Sequence, residues 1–118
     1  MLIEWWTMLN LTSDERTWLD AYLDVLAENF PGLVEEVKVF GSKARGDSRP
    51  GSDLDLLVII ARGDWQIKHE VRLPGYRLAT GTETVPSIKV YTRGEWEDRR
   101  AHRSVFLEAV ERDAVKVV

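Results

Sequence analysis

The sequence predicts a small α/β (α+β) fold in which one sheet is flanked by helices. Three observations lead to this prediction. The chain has 118 residues, which suits a single domain spanning residues 1–118. Predicted strands and helices are mixed along it, which favours a sandwich built on one small sheet. Residues 54–60 form a nearly unbroken apolar run, typical of a central strand covered on both faces.

The first predicted elements are a long helix and a strand. Thr12–Asn29 has apolar residues at helical spacing, and Thr12 with Glu15 forms a capping-box signature at its start. Pro31-Gly32 ends the helix. In Val34–Phe40 two valines alternate with charged residues, which predicts the first strand.

The middle of the chain predicts a turn, a loop and the strongest strand. Gly41–Gly46 is a turn with room for one helical turn, and Asp47–Ser52 is a polar loop. Asp53–Ala61 contains the apolar run and is the predicted central strand.

The last part of the chain predicts two helices and two strands. Asp64–Thr80 is a helix that Pro74-Gly75 should bend or split. Thr84–Thr92 is a third strand, and a second capping box at Thr92 opens a helix towards Glu111. Residues 114–118 are a short final strand.

Composition excludes several classes of function. The net charge of −4 argues against a general nucleic-acid binder, because such binders usually carry a basic excess. The absence of cysteine excludes disulfide scaffolds, thiolate zinc sites and thiol nucleophiles. Residues 1–11 lack the features of a signal peptide, and no stretch is apolar enough to cross a membrane, so the expected location is cytoplasmic.

One constellation in the sequence indicates phosphate and metal chemistry. Gly41 and Ser42 directly follow a predicted strand, where glycine lets the backbone approach a phosphate and serine offers a hydroxyl and an N–H. Asp53 and Asp55 begin the most apolar strand and, two positions apart, point to the same face. Two such carboxylates can hold Mg²⁺, which shares its coordination with the phosphates of a substrate.

Each part of this constellation also has a structural interpretation. A Gly-Ser pair after a strand is a common turn, and aspartates at a strand end can form local hydrogen bonds. Lys43 and Arg45, within the turn, either contact phosphates or are solvated charges. Two acids beside a glycine turn nevertheless favour a cationic partner, because burying them unpaired is costly.

The segment Val39–Ile59 resembles the signature of the DNA polymerase β-like nucleotidyltransferase superfamily: Gly-Ser, ten intervening residues, then Asp-x-Asp. The sequence Gly41–Gly46, GSKARG, is similar to that of the minimal nucleotidyltransferase branch in particular. The resemblance implies a nucleotidyltransferase fold with a small mixed sheet, and transfer of a nucleoside monophosphate, usually from ATP. It also implies that Gly41 and Ser42 hold the triphosphate, and that Asp53 and Asp55 bind two magnesium ions.

The resemblance further implies a third carboxylate on a neighbouring strand, and here the sequence departs from the pattern. In Thr84–Thr92 the expected position holds Ser87, and the next residue on the same face is Lys89. Glu83 has the same strand parity but precedes the strand. Lys89 could pair with the two aspartates instead and replace a cation. A site without metal is therefore one alternative.

Small members of this family resemble antitoxins that act on helical HEPN-type proteins. The resemblance therefore implies a HEPN-type partner that receives AMP, with Mg²⁺ and ATP as cofactor and substrate. The alternative is a degenerate antitoxin that neutralises its partner by binding alone, and a small-molecule or nucleic-acid acceptor is a third hypothesis. Trp5 and Trp6 are a minor candidate for contact with a partner or a second copy, and Met8 is an alternative start.

Overall fold

A computed structural model describes residues 9–49 and 51–118. The interpretations of Trp5, Trp6 and Met8 therefore lie outside the described residues. The described elements, in chain order, are α1 (Ser13–Asn29), β1 (Val34–Phe40), α2 (Ser42–Arg45), β2 (Leu54–Ile60), α3 (Trp65–Ala79), β3 (Pro86–Thr92), α4 (Arg93–Ala101), α5 (Val105–Asp113) and β4 (Val115–Lys116).

The four strands form one mixed sheet in the order β3-β2-β1-β4. Strand β1 is antiparallel to both β2 and β4, whereas β2 and β3 are parallel. The predicted α/β fold, with helices flanking a small mixed sheet, is confirmed. The apolar run lies in β2, which is an inner strand with residues 56–60 fully buried. Its continuous apolar pattern arises because helices cover both of its faces.

The core has two parts, one on each face of the sheet. On one face, α1 and α3 pack through Trp18, Tyr22 and Val71 against the even-numbered residues of β2. On the other face, α4 and α5 pack through Trp96 and Leu107 against the odd-numbered residues of β2. Because strand side chains alternate between faces, Asp53 and Asp55 share their parity with the α4/α5 face.

Helix α3 runs unbroken from Trp65 to Ala79 through Pro74, so that, of the predicted bend or split, the split is wrong. Helix α1 donates two side-chain hydrogen bonds to carbonyl groups of α3: the Trp18 indole to Gly75 at 2.8 Å and the Tyr22 hydroxyl to Val71 at 2.8 Å. These bonds and the packing of α1 support the helix around a proline that removes one of its own bonds.

The single helix expected from Thr92 towards Glu111 is also wrong. The capping box at Thr92 is present, but α4 ends at Ala101, and α5 begins at Val105 after Arg103 adopts a positive φ of 51°. The Ser104 hydroxyl caps α5, accepting a hydrogen bond from the Leu107 N–H. A new helix therefore starts after Ser104, because serine is more favourable as the N-terminal cap of a helix than in a helix interior.

The remaining differences concern the ends of elements. Strand β3 begins at Pro86 rather than Thr84, and β4 contains only Val115 and Lys116. On the outer side of β3, the Tyr76 hydroxyl accepts a hydrogen bond from the Ile88 N–H at 3.0 Å. Within the described ranges, no helix is long and apolar enough to span a membrane.

Candidate functional site

The glycine turn lies directly against the acidic pair. Phe40, the last residue of β1, pairs with Asp55 of β2, so Gly41 leaves the strand beside that carboxylate. Gly41 has a φ of 73°, and a Cβ built on it would lie 2.4 Å from Asp55 Oδ2. Only glycine fits here, for both its backbone conformation and the close approach of the carboxylate. The sequence-predicted turn and acid pair are therefore brought together.

Gly41 is followed by the short helical turn α2. The Gly41 carbonyl accepts hydrogen bonds from the N–H groups of Ala44 and Arg45 at 3.1 and 3.0 Å. The two preceding N–H groups, of Ser42 and Lys43, have no acceptor within the turn because they stand at its first positions. Ser42 and Lys43 directly follow Gly41, which contacts Asp55, and their N–H groups suit an oxygen-rich anion whose charge a cation shares.

The two aspartates differ in exposure. Asp53 lies just before β2 and is exposed, whereas Asp55 is half-buried within the strand. Burial raises the pKa of Asp55, the Asp53 carboxylate raises that pKa further, and the charges of Lys89 and Arg45 lower it. A carboxylate whose charged form is disfavoured by burial and by a second carboxylate is stabilised by a bound cation.

Lys43 has a role that sequence reasoning missed. Its side chain is buried, with 6% exposed, and its Nζ lies 3.1 Å from Oε1 of the equally buried Glu15. Lys43 is therefore not a solvated charge, and its ammonium is occupied by α1 rather than directed at a phosphate. Glu15 was recognised only as part of a capping box, and its second function could not be read from local sequence because Lys43 is distant along the chain.

Further bonds fasten the same side of the turn. The Asn10 N–H donates to the Lys43 carbonyl at 2.9 Å, and the Asn10 side-chain amide donates to Ser48 Oγ at 2.6 Å. Glu15 also accepts a bond from the Thr12 N–H at 2.9 Å. The segment before α1 and the first turn of α1 together hold the α2 turn in place.

Arg45 lies on the open side of the turn. Its Nε is 3.3 Å from Asp47 Oδ2, and its side chain is 45% exposed. The pKa of Asp55 is raised, mainly by burial, and the charge of Arg45 opposes that rise. At Asp113 of α5 the pKa is lowered, mainly by the hydrogen bond from Arg112, and the charge of Arg45 lowers it further. Arg45 is free to move towards an added anion because its existing ion pair is exposed and weak.

The position expected to hold a third carboxylate is filled as the sequence indicated. Ser87 pairs in register with Asp55, and Lys89 pairs with Leu57, one same-face step further along β3. Glu83 is exposed in the loop before β3. In the part of the chain that the structure describes, no three acidic, histidine or cysteine residues are grouped so that they could hold a metal ion.

Lys89 does not form the direct pair with the aspartates that the sequence left open as an alternative to metal binding. Its Nζ lies 5.8 Å from the centre of the Phe106 ring, and across residues 9–49 and 51–118 no salt bridge joins it to Asp53 or Asp55. The lysine is exposed and acts on Asp55 through space. It is therefore a charge beside the acidic pair and not a structural partner of it.

A polar pocket of about 730 Å³ lies near the site but is not lined by Asp53 or Asp55. It is lined by the start of α1, the loop before β2, Lys43 and Glu83. The candidate site is centred on Asp53 and Asp55 and not on this pocket, because these residues place two carboxylates beside the Gly41 turn.

Comparison with known families identifies the domain. Residues 19–111 match the family model described as a nucleotidyltransferase domain, which is most of the chain. The chain belongs to the nucleotidyltransferase domain family. The matched region contains Gly41, Ser42, Asp53 and Asp55, together with the strand that carries Ser87.

Two solved toxin-antitoxin structures share this nucleotidyltransferase fold. A toxin-antitoxin structure with AMP-PNP is 19% identical, with 84% of this chain and 71% of that chain covered and a TM-score of 0.58. The toxin-antitoxin MntA-HepT is 16% identical, with coverages of 87% and 71% and a TM-score of 0.53. A putative nucleotidyltransferase from Sulfolobus solfataricus is 32% identical over 70% of each chain, with a TM-score of 0.49. A comparison with curated proteins gave no match.

The residues of this nucleotidyltransferase domain fit a magnesium ion bound together with a nucleotide. Magnesium usually takes one or two carboxylates and completes its shell with phosphate oxygens and water. Asp53 and Asp55 supply two carboxylates, and burial first and then Asp53 raise the pKa of Asp55, so that a bound cation would favour its charged form. The free N–H groups of α2 stand beside them for the phosphates.

Proposed function

We propose that this nucleotidyltransferase domain binds Mg-ATP and transfers AMP to a HEPN-type toxin partner, acting as its antitoxin. The observation that carries the proposal is the contact between Gly41 and Asp55. It places the start of the α2 turn against a half-buried carboxylate, with the glycine leaving no side chain between them. The turn offers N–H groups to phosphate oxygens, and a bound cation would stabilise the charged form of Asp55. The two together suit a metal-bound triphosphate.

The proposed roles follow from the position of each group. Gly41 lets the backbone approach the triphosphate closely, Ser42 contacts it through its backbone N–H and its hydroxyl, and Asp53 and Asp55 hold Mg²⁺. Arg45 can leave its exposed pair with Asp47 to reach a phosphate. The side chain of Lys43 is not proposed to bind the nucleotide, because its ammonium already pairs with Glu15. The bound metal would neutralise negative charge on the phosphates.

In the proposed transfer, an acceptor hydroxyl oxygen forms a bond to the α-phosphorus of ATP. The bond from that phosphorus to the bridging oxygen breaks, pyrophosphate leaves with the bonding electrons, and the hydroxyl proton passes to solvent or to a base. The residues of this chain contribute positioning and charge stabilisation, which dominate phosphoryl-group transfer.

The proposed partner is supported by the fold neighbours. Two of the structures that share the fold are described as toxin-antitoxin complexes, one of them with AMP-PNP and the other as MntA-HepT. A partner protein as acceptor also suits a site at which Asp53 and Lys89 are exposed. We place the chain in the cytoplasm, where such a partner and ATP are available.

The second candidate function is an antitoxin that neutralises its partner by binding alone. The observation that favours it is Ser87, which stands opposite Asp55 where a third carboxylate would act as a base. A hydroxyl neither carries the charge of a carboxylate nor accepts a proton as readily. The two candidates differ in whether label from ATP reaches the partner.

The test uses ATP labelled at the α-phosphate, Mg²⁺, the purified protein and a lysate of the native host. The proposed function expects one labelled protein band, whose mass identifies the acceptor. Labelling should be lost in the double variant Asp53→Asn, Asp55→Asn. The matched control is Asp20→Asn, Asp24→Asn, which makes the same charge change at two exposed positions of α1.

A band that persists in the Asp53→Asn, Asp55→Asn variant would mean that transfer occurs elsewhere, and the proposal would be wrong. Absence of any labelled band, together with a helical protein that co-purifies with the wild type, would favour the antitoxin that acts by binding alone. The control variant should label its acceptor as the wild type does.

A further inference from the structure

The charges around the acidic pair set how many metal ions this site can hold. Two-metal sites place their ions about 3.5–4 Å apart, so closely spaced positive charges need several carboxylates between and around them. Asp53 and Asp55 are the two carboxylates at the start of β2. Among residues 9–49 and 51–118 no third acidic, histidine or cysteine residue joins them in a metal-binding group.

Strand β3 supplies a neutral group and a cation where a third ligand would have to be. Ser87 stands opposite Asp55 in the parallel register, and Lys89 follows on the same face opposite Leu57. A serine hydroxyl adds no negative charge to offset a second divalent ion. The neighbouring strand therefore adds no carboxylate to a second magnesium site.

Lys89 is held on the correct side of the sheet to act on the pair. Its side chain is exposed, and its Nζ lies 5.8 Å from the centre of the Phe106 ring, which packs between β1 and β3 on the α4/α5 face. The attraction between the ammonium and the ring face favours this placement. Lys89 is also two residues from Ser87, the residue opposite Asp55, and therefore lies on the same face of the sheet as that carboxylate.

We propose that Lys89 takes the place of a second metal ion, so that the site binds a single divalent cation together with the nucleotide. A lysine ammonium is a compact point charge on a flexible stem that can contact a phosphate oxygen or an acceptor oxygen. Lys89 supplies one fixed positive charge in the region where a second ion would otherwise lie. Its presence also repels a second ion from the same space.

This inference rests on the proposed nucleotide site, and the count of bound metal ions tests it. The probe is Mn²⁺, measured by electron paramagnetic resonance after equilibrium dialysis of the protein with a saturating ATP analogue that has a methylene group between its α- and β-phosphorus atoms. The expected result is one Mn²⁺ per chain, with no spin coupling between metal ions.

The variant Ser87→Asp, Lys89→Ser supplies the missing carboxylate and removes the cation. It is expected to bind two Mn²⁺ per chain, with a broadened signal from two coupled ions. Both substituted side chains lie at least partly in solvent, so the fold should tolerate the changes. Lys116→Met is the matched control, because Lys116 is an exposed lysine on the opposite edge strand.

A single variant gives an independent readout. Lys89→Met should raise the affinity for Mn²⁺ without nucleotide by about three- to tenfold, because a like charge is removed. The same variant should weaken binding of the metal-bound analogue by a similar factor, because one phosphate contact is lost. A merely structural lysine would change neither affinity, or both in the same direction.

The outcomes separate this inference from the proposed function. Two coupled Mn²⁺ ions in the wild-type protein would overturn the inference and leave the proposed function standing. No bound Mn²⁺ in the presence of the analogue would overturn both. A single ion that remains single in the Ser87→Asp, Lys89→Ser variant would show that Lys89 and Ser87 do not set the count, and would also overturn the inference.

Discussion

The two sides of the α2 turn are built in opposite ways. On the side that faces α1, Lys43 is buried against Glu15 and the backbone is bonded to Asn10. On the side that faces β2, Asp55 is half-buried beside a second carboxylate, and the nearby cations act on it without contact. One side is paired and closed, and the other is charged and open.

The difference separates residues that fix the turn from residues that act. A buried ion pair fixes geometry because each charge is costly to leave alone. Unpaired carboxylates do the reverse, since they leave interaction energy available for a ligand. The Lys43–Glu15 pair thus fixes one side of the turn. On the other side, the carboxylates of Asp53 and Asp55 are held in place without a salt-bridge partner among the described residues.

The largest expected effect comes from breaking the closed side. Lys43→Met leaves the Glu15 carboxylate buried without its partner, and we expect a loss of about 3–5 kcal/mol in the free energy of unfolding. Urea denaturation followed by circular dichroism measures this loss. The double variant Glu15→Gln, Lys43→Met removes both charges and should recover most of it. Equal stability of the single and double variants would show that the uncompensated charge is not the cause.

The next effect comes from forcing a side chain between the two sides. Gly41→Ala places a Cβ against Asp55 in a backbone conformation that disfavours side chains. Gly46 has a similar φ, 85°, but the Cβ of Gly46→Ala would have no atom of the described residues within 4 Å. Both should lose about 1–2 kcal/mol of stability from the backbone term. Only Gly41→Ala should also lose binding of the metal-bound ATP analogue, measured by calorimetry. Equal binding losses in the two variants would contradict the contact with Asp55 as the cause.

A smaller effect, of opposite sign, is expected on the open side. Asp55→Asn removes a charge that burial and Asp53 disfavour, so the free energy of unfolding without ligand should rise by about 0.5–1 kcal/mol. Binding of the metal-bound analogue should be lost at the same time. Loss of stability in Asp55→Asn would show that the carboxylate has a structural partner.

The same variant has a predicted pH dependence. Because the pKa of Asp55 is raised in the folded protein, with burial the main cause, its protonated form favours folding. That contribution is complete below the ordinary pKa of 3.8 and is lost as the pH rises through the raised pKa. The stability advantage of Asp55→Asn should therefore grow as the pH rises above about 4 and then level off. Unfolding midpoints measured from pH 4 to pH 7 test the sign.

The smallest effect is expected from an ion pair outside both sides of the turn. Lys68 of α3 and Glu95 of α4 lie 2.7 Å apart, and the glutamate is largely exposed. Lys68→Met should change the free energy of unfolding by about 0.5 kcal/mol or less, because solvent screens such a pair. A loss as large as that of Lys43→Met would mean that burial does not distinguish the two pairs.

Local patterns predicted much of the fold. The capping boxes at Thr12 and Thr92 and the apolar run in β2 are present because they depend on residues close together in sequence. The same dependence explains the errors. The continuity of α3 through Pro74 relies on Trp18 and Tyr22 of another helix, which no local pattern contains.

The candidate site was predictable in its acids and its glycine but not in its lysines. The spacing of Gly41, Asp53 and Asp55 specifies the turn and the pair, and the register of β1 with β2 brings them together. Lys43 and Lys89 have the same side chain in strongly different surroundings: one is buried beside Glu15 and the other is exposed beside Phe106. Their roles depend on which distant element packs against them.

The hydrogen bond between the Tyr76 hydroxyl and the Ile88 N–H has a consequence for association between molecules. Strand β3 forms one border of the sheet, and an unpaired amide there can recruit the backbone of another chain. Tyr76 occupies that amide with a side chain of the same molecule. The Tyr76 hydroxyl therefore hinders hydrogen-bonded pairing of β3 with an edge strand of another molecule. Tyr76→Phe should make the protein more prone to self-assembly at high concentration.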